Sequence, residues 1–331
     1  MSKTVLITGG AGYIGSHVQY YFLDQGFKVI VLDNLSQGHL SALSSETIFY
    51  KGDIQNTELV DKIFSEHSIS GVLHFAASVV VSESVQNPLK YYENNFINTE
   101  IFIKSCLKHK VQNFIFSSTA AVYGIPDHNS PISETEPTGP ISPYGRSKLM
   151  VEWLLKDLSL SQSFPYCALR YFNVAGADPN LRTGQLTKNA THLIKVICEV
   201  LTKKRPKIDI YGSDYPTPDG TCVRDYIHVT DLAEAHYLAY QHLEKTKESI
   251  TFNCGYNQGF SVKEVISVAE SISNQKIDFS LAPRREGDSI SLTAQSNLIR
   301  TKLKWTPKYH DLPTIIQSAY AWEQKISQKT Q

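Results

Sequence analysis

The chain has 331 residues, 41% of them apolar and 19% charged, enough to bury a large core as one or two domains. Lys plus Arg equals Asp plus Glu at 32 each, so charge gives no reason to expect nucleic acid or an anionic membrane as a partner. Five scattered cysteines (Cys106, Cys167, Cys198, Cys222, Cys254) with no C-x-x-C pair argue against a disulfide framework or a metal site, and for a reducing, cytoplasmic setting. Residues 1–10 lack the flanks of a signal peptide, and no apolar run approaches the roughly 18 residues that a membrane helix needs.

The N-terminal half alternates short apolar strands with helices. Strands are predicted at Thr4–Thr8, Lys28–Asp33, Thr47–Tyr50, Gly71–Phe75, Asn113–Ser117 and Tyr166–Tyr171. Helices are predicted at Tyr13–Gln25, Asn56–His67, Pro88–Lys108 and Pro143–Leu160. Strands without polar alternation suit a parallel sheet covered on both faces, and the repeated strand–helix–strand order gives a doubly wound α/β fold. After about Gly176 the chain turns polar and rich in turns, with helices at His192–Leu201 and Asp231–Leu243. We therefore expect residues 1–175 to form the larger domain. Residues 176–331 should form a smaller mixed α/β region, of which parts around 224–254 return to the first.

The first strand runs into Gly9-x-x-Gly12-x-x-Gly15 at the start of a helix. Glycines there allow a tight turn and let backbone approach a pyrophosphate, while the helix N-terminus offers free N–H groups and partial positive charge. Asp33 ends the next strand 18 residues past Gly15, placed to accept hydrogen bonds from both adenosine ribose hydroxyls and to repel a 2′-phosphate. Together these define a Rossmann-type site for NAD rather than NADP.

Tyr144 and Lys148 stand at i and i+4 near the start of a helix, on one face. Oxidising an alcohol needs a base for the hydroxyl proton. A free tyrosine is ionised in only about one molecule in a thousand at pH 7, and closing that gap takes about 4 kcal/mol. A nearby Lys⁺ together with the positive charge of an oxidised nicotinamide can supply it. Upstream, Thr119 follows the fifth strand. It either relays a proton between the reacting oxygen and Tyr144 or simply caps a strand end.

The glycine spacing, with Gly52-Asp53-Ile54 and His74-Phe75-Ala76-Ala77, resembles the short-chain dehydrogenase/reductase superfamily. Further stretches resemble its extended branch, and within it the UDP-glucose 4-epimerase family: TGGAGYIGSH at 8–17, LDNLS at 32–36, YYENN at 91–95, FIFSSTAAVYG at 114–124, SPYGRSKLMVE at 142–152, LRYFNVAGA at 169–177, YPTPDGTCVRDYIHV at 215–229 and APRREGD at 282–288. The resemblance implies an isomerase that inverts carbon 4 of UDP-glucose and UDP-galactose through a 4-keto sugar, with no net redox change. It implies NAD contacts at Tyr13, Ile14, Asp33, Asn34, Asp53, Ile54, Phe75, Ala76, Ala77, Asn95, Lys148 and Phe172. For the UDP-sugar it implies Thr119, Tyr144, Asn173, His192, Tyr211, Arg224, Arg285 and Asp288. It also implies a homodimer built on the two long helices.

Four positions depart from common members. Thr119 replaces a serine and keeps the hydroxyl. Val79 stands where some members carry a lysine near the cofactor, and Lys195 where many have proline. Leu292 lies where a tyrosine is associated with excluding N-acetyl sugars, and its smaller side chain leaves room for them. A 4,6-dehydratase would need an acid and a base directly after the threonine, where this chain has Ala120 and Ala121. A 4-epimerase of UDP-glucuronate shares the chemistry and differs only in its carbon 6 pocket. A non-catalytic NAD-binding protein would have no need of Thr119, Tyr144 and Lys148 together.

Overall fold

A computed structural model describes residues 2–126, 128, 130–285 and 288–328, so part of the 282–288 motif and the last three residues lie outside the described residues. In chain order the strands are β1 (Thr4–Thr8), β2 (Lys28–Asp33), β3 (Ile48–Lys51), β4 (Ile69–His74), β5 (Phe114–Ser117), β6 (Tyr166–Tyr171), β7 (Asn173–Ala175), β8 (Ile208–Tyr211), β9 (Val223–Arg224), β10 (Tyr226–His228), β11 (Ile250–Cys254), β12 (Phe260–Ser261), β13 (Phe279–Ala282) and β14 (Ser291–Leu292). The helices are α1 (Tyr13–Asp24), α2 (Thr57–Glu66), α3 (Val81–Gln86), α4 (Pro88–Tyr92), α5 (Asn98–Lys108), α6 (Pro143–Gln162), α7 (Leu193–Leu201), α8 (Val229–Thr246), α9 (Val262–Ser273), α10 (Asn297–Leu303) and α11 (Leu312–Gln328).

Seven strands form one parallel sheet in the order β11-β6-β5-β4-β1-β2-β3. The continuous apolar runs have a simple cause. Alternate residues of each strand face two separate cores. Val5 and Ile7 of β1, with Val29 and Val31 of β2, pack toward α1 and α8 through Val18, Phe22, Leu232 and Tyr240. Leu6, Ile30 and Leu32 face the other side, where α2, α5 and α6 supply Val60, Ile63, Phe102, Val151 and Leu155.

Strand order reverses at β1, which lies between β2 and β4. In an open parallel sheet this switch point leaves a crevice at the carboxyl ends of the strands, where ligands bind. β11 joins the sheet as its outer strand, beside β6, although it lies beyond residue 175. Three smaller sheets (β7 with β10, β8 with β13, and β12-β9-β14) come from residues after 172.

The stretch expected as one helix over Pro88–Lys108 is helical throughout but not uniform. Residues Glu93–Ile97 form a π-helical turn between α4 and α5. The wider turn sends Asn95 inward, where it is buried and hydrogen-bonded to the backbone of Ser78 and to Ser147 Oγ. Such turns accompany functional sites often enough to mark this one for inspection.

Candidate active site

The glycine turn is built to tolerances that only glycine meets. A Cβ on Gly9, whose φ is +69°, would lie 2.6 Å from Ala76 N, and one on Gly15 would lie 2.4 Å from Gly9 O. Gly12 sits at the N-cap of α1, its own N–H donating to Gly9 O at 3.1 Å, and no side chain caps the first helical turn formed by Tyr13, Ile14 and Gly15. An uncapped helix N-terminus at the switch point is a ready anion site.

Asp33 closes the crevice at the end of β2. Its Oδ2 accepts from Ala11 N at 3.0 Å and its Oδ1 from Leu35 N at 2.8 Å, which fixes the carboxylate while leaving lone pairs free. Burial nevertheless pushes its acidity down, raising the pKa above the usual carboxylate range. Asn34 Nδ2 donates to Asp53 Oδ2 at 3.0 Å, so these two expected contacts form one unit. Ile54 is buried in the core facing α2, Phe75 meets His236 at a tilt with ring centres 4.8 Å apart, and the backbone of Ala76 abuts Gly9. Tyr13 turns its hydroxyl away to Gly176 O at 2.7 Å. Asp33 thus lies against the glycine turn through Ala11, with the Asn34–Asp53 pair beside it. The side chains of Asn95 and Tyr13 are engaged by the protein itself.

The reacting groups lie where β5 ends and α6 begins. Ser142 caps α6 by accepting from Gly145 N at 3.1 Å, and Pro143 occupies the first helical position, where its missing N–H costs nothing. One turn on, Tyr144 and Lys148 both face inward and are buried. Tyr144 lies beside Thr119, and burial raises its pKa while the Thr119 hydroxyl opposes the rise. Its ring meets Tyr91 edge to face at 6.4 Å.

Thr119 caps the turn that follows β5 and lies beside Tyr144. Its Oγ1 accepts from Ala121 N at 3.1 Å, capping the short 3₁₀ turn at Ala120–Val122, and it also reaches Tyr144. Lys148 Nζ donates to Ser117 O at 2.9 Å and sits 5.0 Å from the centre of the Phe116 ring. Burial pushes its pKa down to about 7, opposed by the charge of Glu152. The ammonium is therefore easily perturbed by whatever charge is placed beside it.

The candidate nucleotide-sugar residues assemble as pairs. Arg224 donates to Asp288 Oδ1 at 3.3 Å. Arg285 lies over the ring of Tyr211 at 3.7 Å. Asn173 pairs through its N–H with Asp225 O, next to Arg224, at 3.0 Å. Leu292 pairs in register with Arg224 between β14 and β9, and packs with Phe172 on the cluster that includes Leu149 of α6. His192 stands exposed at the N-cap of α7, its Nδ1 3.2 Å from Gln185 Nε2.

Two departures acquire a place. Val79 is exposed beyond β4. Lys195, on α7, is buried and ion-paired with Glu323 of α11, and lies 3.5 Å from Glu199, so the cation pins the last helix onto α7. Sequence inspection missed Tyr91, Tyr171 and Glu152 around the reacting groups, and Asp225 beside Arg224. All four lie inside or beside the stretches quoted for the family, but their roles depend on side-chain direction rather than spacing. Among the described residues no cluster of three or more His, Cys, Asp or Glu could hold a metal ion, and no helix is long and apolar enough to cross a membrane.

A parallel doubly wound sheet, a glycine turn on an uncapped helix and a buried Tyr–Thr–Lys set define a dinucleotide-dependent enzyme of alcohol and ketone chemistry. The chain belongs to the NAD dependent epimerase/dehydratase family, whose model matches residues 5–255. It is similar to the UDP-glucose 4-epimerase of Azospirillum brasilense, 48% identical with 99% of this chain and 94% of that one covered. Among solved structures, the UDP-glucose 4-epimerase of Brucella ovis in complex with NAD is 41% identical at a TM-score of 0.93, covering 97% of this chain and 98% of that one. The UDP-Glc/GlcNAc 4-epimerase of Campylobacter jejuni is 47% identical at a TM-score of 0.85, covering 98% and 100%.

Proposed function

We propose that this chain interconverts UDP-glucose and UDP-galactose by reversible, NAD-dependent epimerisation at carbon 4. The observation that carries the reading is the buried contact of Tyr144 with Thr119, one helical turn from Lys148, where β5 ends. The glycine turn suits a dinucleotide, because it packs backbone to backbone at Gly9 and Gly15 and leaves the first turn of α1 with no side-chain cap. Bound NAD⁺ supplies a reversible hydride acceptor and a positive charge.

The residues of the chain do the rest. Tyr144 accepts the proton of the sugar 4-hydroxyl, directly or through Thr119. Lys148 holds a positive charge close by and lowers the cost of the phenolate. The keto sugar must turn over before it is reduced on its other face, so the site must grip UDP and leave the hexose loosely held. Arg224 and Arg285 suit the diphosphate, and Tyr211 and Asn173 the nucleotide end. Ala120 and Ala121 offer no proton for the elimination of a dehydratase.

N-acetylated sugars fall within the same proposal, since Leu292 is smaller than tyrosine and the Campylobacter jejuni relative is a UDP-Glc/GlcNAc enzyme. A cytoplasmic setting is favoured by five free cysteines, all buried. A homodimer is favoured by large apolar residues left exposed on the two long helical stretches: Leu89 at 78%, Ile97 at 48%, Trp153 at 57% and Leu160 at 80%. Incubating the protein with UDP-galactose and coupling to UDP-glucose dehydrogenase tests the activity. Sedimentation tests the dimer, which a charged residue at Trp153 should dissociate.

A further inference from the structure

Beneath Tyr144 and Lys148 lies a buried ion pair that the mechanism above leaves unused. Glu152 follows Lys148 by four residues on the same face of α6, and Arg170 belongs to β6; both are buried. Arg170 Nε donates to Glu152 Oε1 at 2.9 Å and its Nη2 to Oε2 at 2.5 Å, a two-pronged pairing of the strong kind.

The pair does more than neutralise itself. Glu152 Oε1 also accepts from Ser118 Oγ, immediately before Thr119. Arg170 Nη1 donates to Tyr123 Oη at 2.9 Å, immediately after the 3₁₀ turn that Thr119 caps. Tyr123 in turn donates to Asn253 Oδ1 on β11 at 2.7 Å. The segment carrying Thr119 is therefore tied at both ends to one ion pair, and that pair is anchored to the helix that carries Tyr144 and Lys148.

We infer that the Glu152–Arg170 pair is a positioning device, which holds Thr119 and Lys148 in one frame for proton transfer. The inference rests on the reading of Tyr144 as the base. Burying two charges without such a task gives little net stability, because desolvation offsets their attraction. A hydrophobic pair would fill the space at least as well, but would not orient Ser118 and Tyr123.

The groups facing Lys148 fix the expected effect. Tyr144 and Glu152 face it from α6, the Ser117 carbonyl and Phe116 ring from β5, and His74 from β4. His74 is held neutral, its pKa pushed down to about 3 by burial and by Lys148. Glu152 is the anion among them. Without it the ammonium, already pushed down to about 7 by burial, would be lost at lower pH.

The test is the pH profile of kcat for E152Q, with NAD retention and Tm measured on the same protein. The alkaline limb should move down by about one pH unit, reflecting a lost neighbouring charge. At the wild-type optimum kcat should fall roughly 10- to 100-fold, with KM within about threefold, as for a misplaced reacting group. A folded E152Q whose alkaline limb is unmoved overturns the proposal, whether or not kcat falls. If E152Q does not fold, the double variant S118A/Y123F decides. It leaves the pair intact and unties Thr119, so kcat should fall at least about fivefold with KM unchanged; unchanged kcat overturns the proposal. Tyr144→Phe run alongside separates the two readings. If it stays active the base is wrong, whereas an inactive Tyr144→Phe beside a normal E152Q sinks the positioning role alone.

Discussion

Arg285 lies flat over the ring of Tyr211, 3.7 Å from guanidinium carbon to ring centre. Two residues expected to serve one nucleotide are thus satisfied by each other, and a ligand must replace a cation–π contact that is worth about 0.5–2 kcal/mol. Arg285→Ala should raise KM for UDP-galactose roughly 10- to 100-fold and leave kcat within about threefold, because its proposed contact is with the phosphates and not with the reacting carbon. Steady-state kinetics check this. A fall confined to kcat would place Arg285 at the chemistry instead.

The glycine turn makes a separate prediction about the cofactor. An added methyl at Gly15 meets Gly9 O at 2.4 Å and Gly10 Cα at 2.8 Å, both backbone atoms that cannot rotate aside. Gly15→Ala should shift the start of α1 and weaken NAD binding at least about tenfold, measured by titration of the cofactor-free protein. Binding unchanged within about twofold would mean that the helix N-terminus does not carry the pyrophosphate.

Acid should destabilise the fold. His17 and His236 are pushed down to about 4, and His74 and His228 to about 3, all mainly by burial. Unfolded histidine takes up protons from about pH 6.5, where the fold does not, so this stability is present above 6.5 and is lost as pH falls. Asp225 acts in the opposite sense, because burial raises it to about 7 and the fold holds its proton between there and the usual carboxylate range. Asp33, Glu134 and Asp231 are raised in the same sense as Asp225, but His192 and His242 are lowered with the other four histidines, and the balance predicts a lower Tm at pH 5 than at pH 7.5. His236→Phe, which removes a ring whose Nε2 lacks a partner among the described residues, should flatten that slope. A Tm that rises on acidification contradicts this account.

The proposed gate for the 2-substituent is Leu292. It is half-buried, pairs with Arg224 in register and packs against the cluster containing Phe172. Leu292→Tyr should lower turnover of UDP-N-acetylgalactosamine relative to UDP-galactose by about tenfold or more, as filling a pocket rejects a larger group. An unchanged ratio removes Leu292 from the gate.

Much of this arrangement was legible in the residues. The strands were, because each apolar run splits evenly between two cores, and the glycine turn was, because its spacing matches what a backbone contact requires. Tyr144 and Lys148 were legible as a pair because their i, i+4 spacing shares one helix face and a dinucleotide turn precedes them. The π-helical turn was not. Inserting one wider turn leaves the 88–108 pattern helical in composition, and only the inward hydrogen bonds of Asn95 reveal it. Nor was the Glu152–Arg170 pair, since its partners are 18 residues apart on different elements and neither type marks burial. Lys195 shows the same limit. Its partner Glu323 is 128 residues away, so only tertiary structure explains a lysine inside α7.

The central claim is that Tyr144 is the base of a carbon 4 epimerisation. The most direct measurement is conversion of UDP-galactose to UDP-glucose by wild type and by Tyr144→Phe, each with NAD confirmed bound. The account predicts ready conversion by wild type and a loss of at least about 100-fold in kcat for the variant, the scale of general base catalysis. Conversion by Tyr144→Phe within about tenfold of wild type would contradict it, as would no conversion by the NAD-bound wild type.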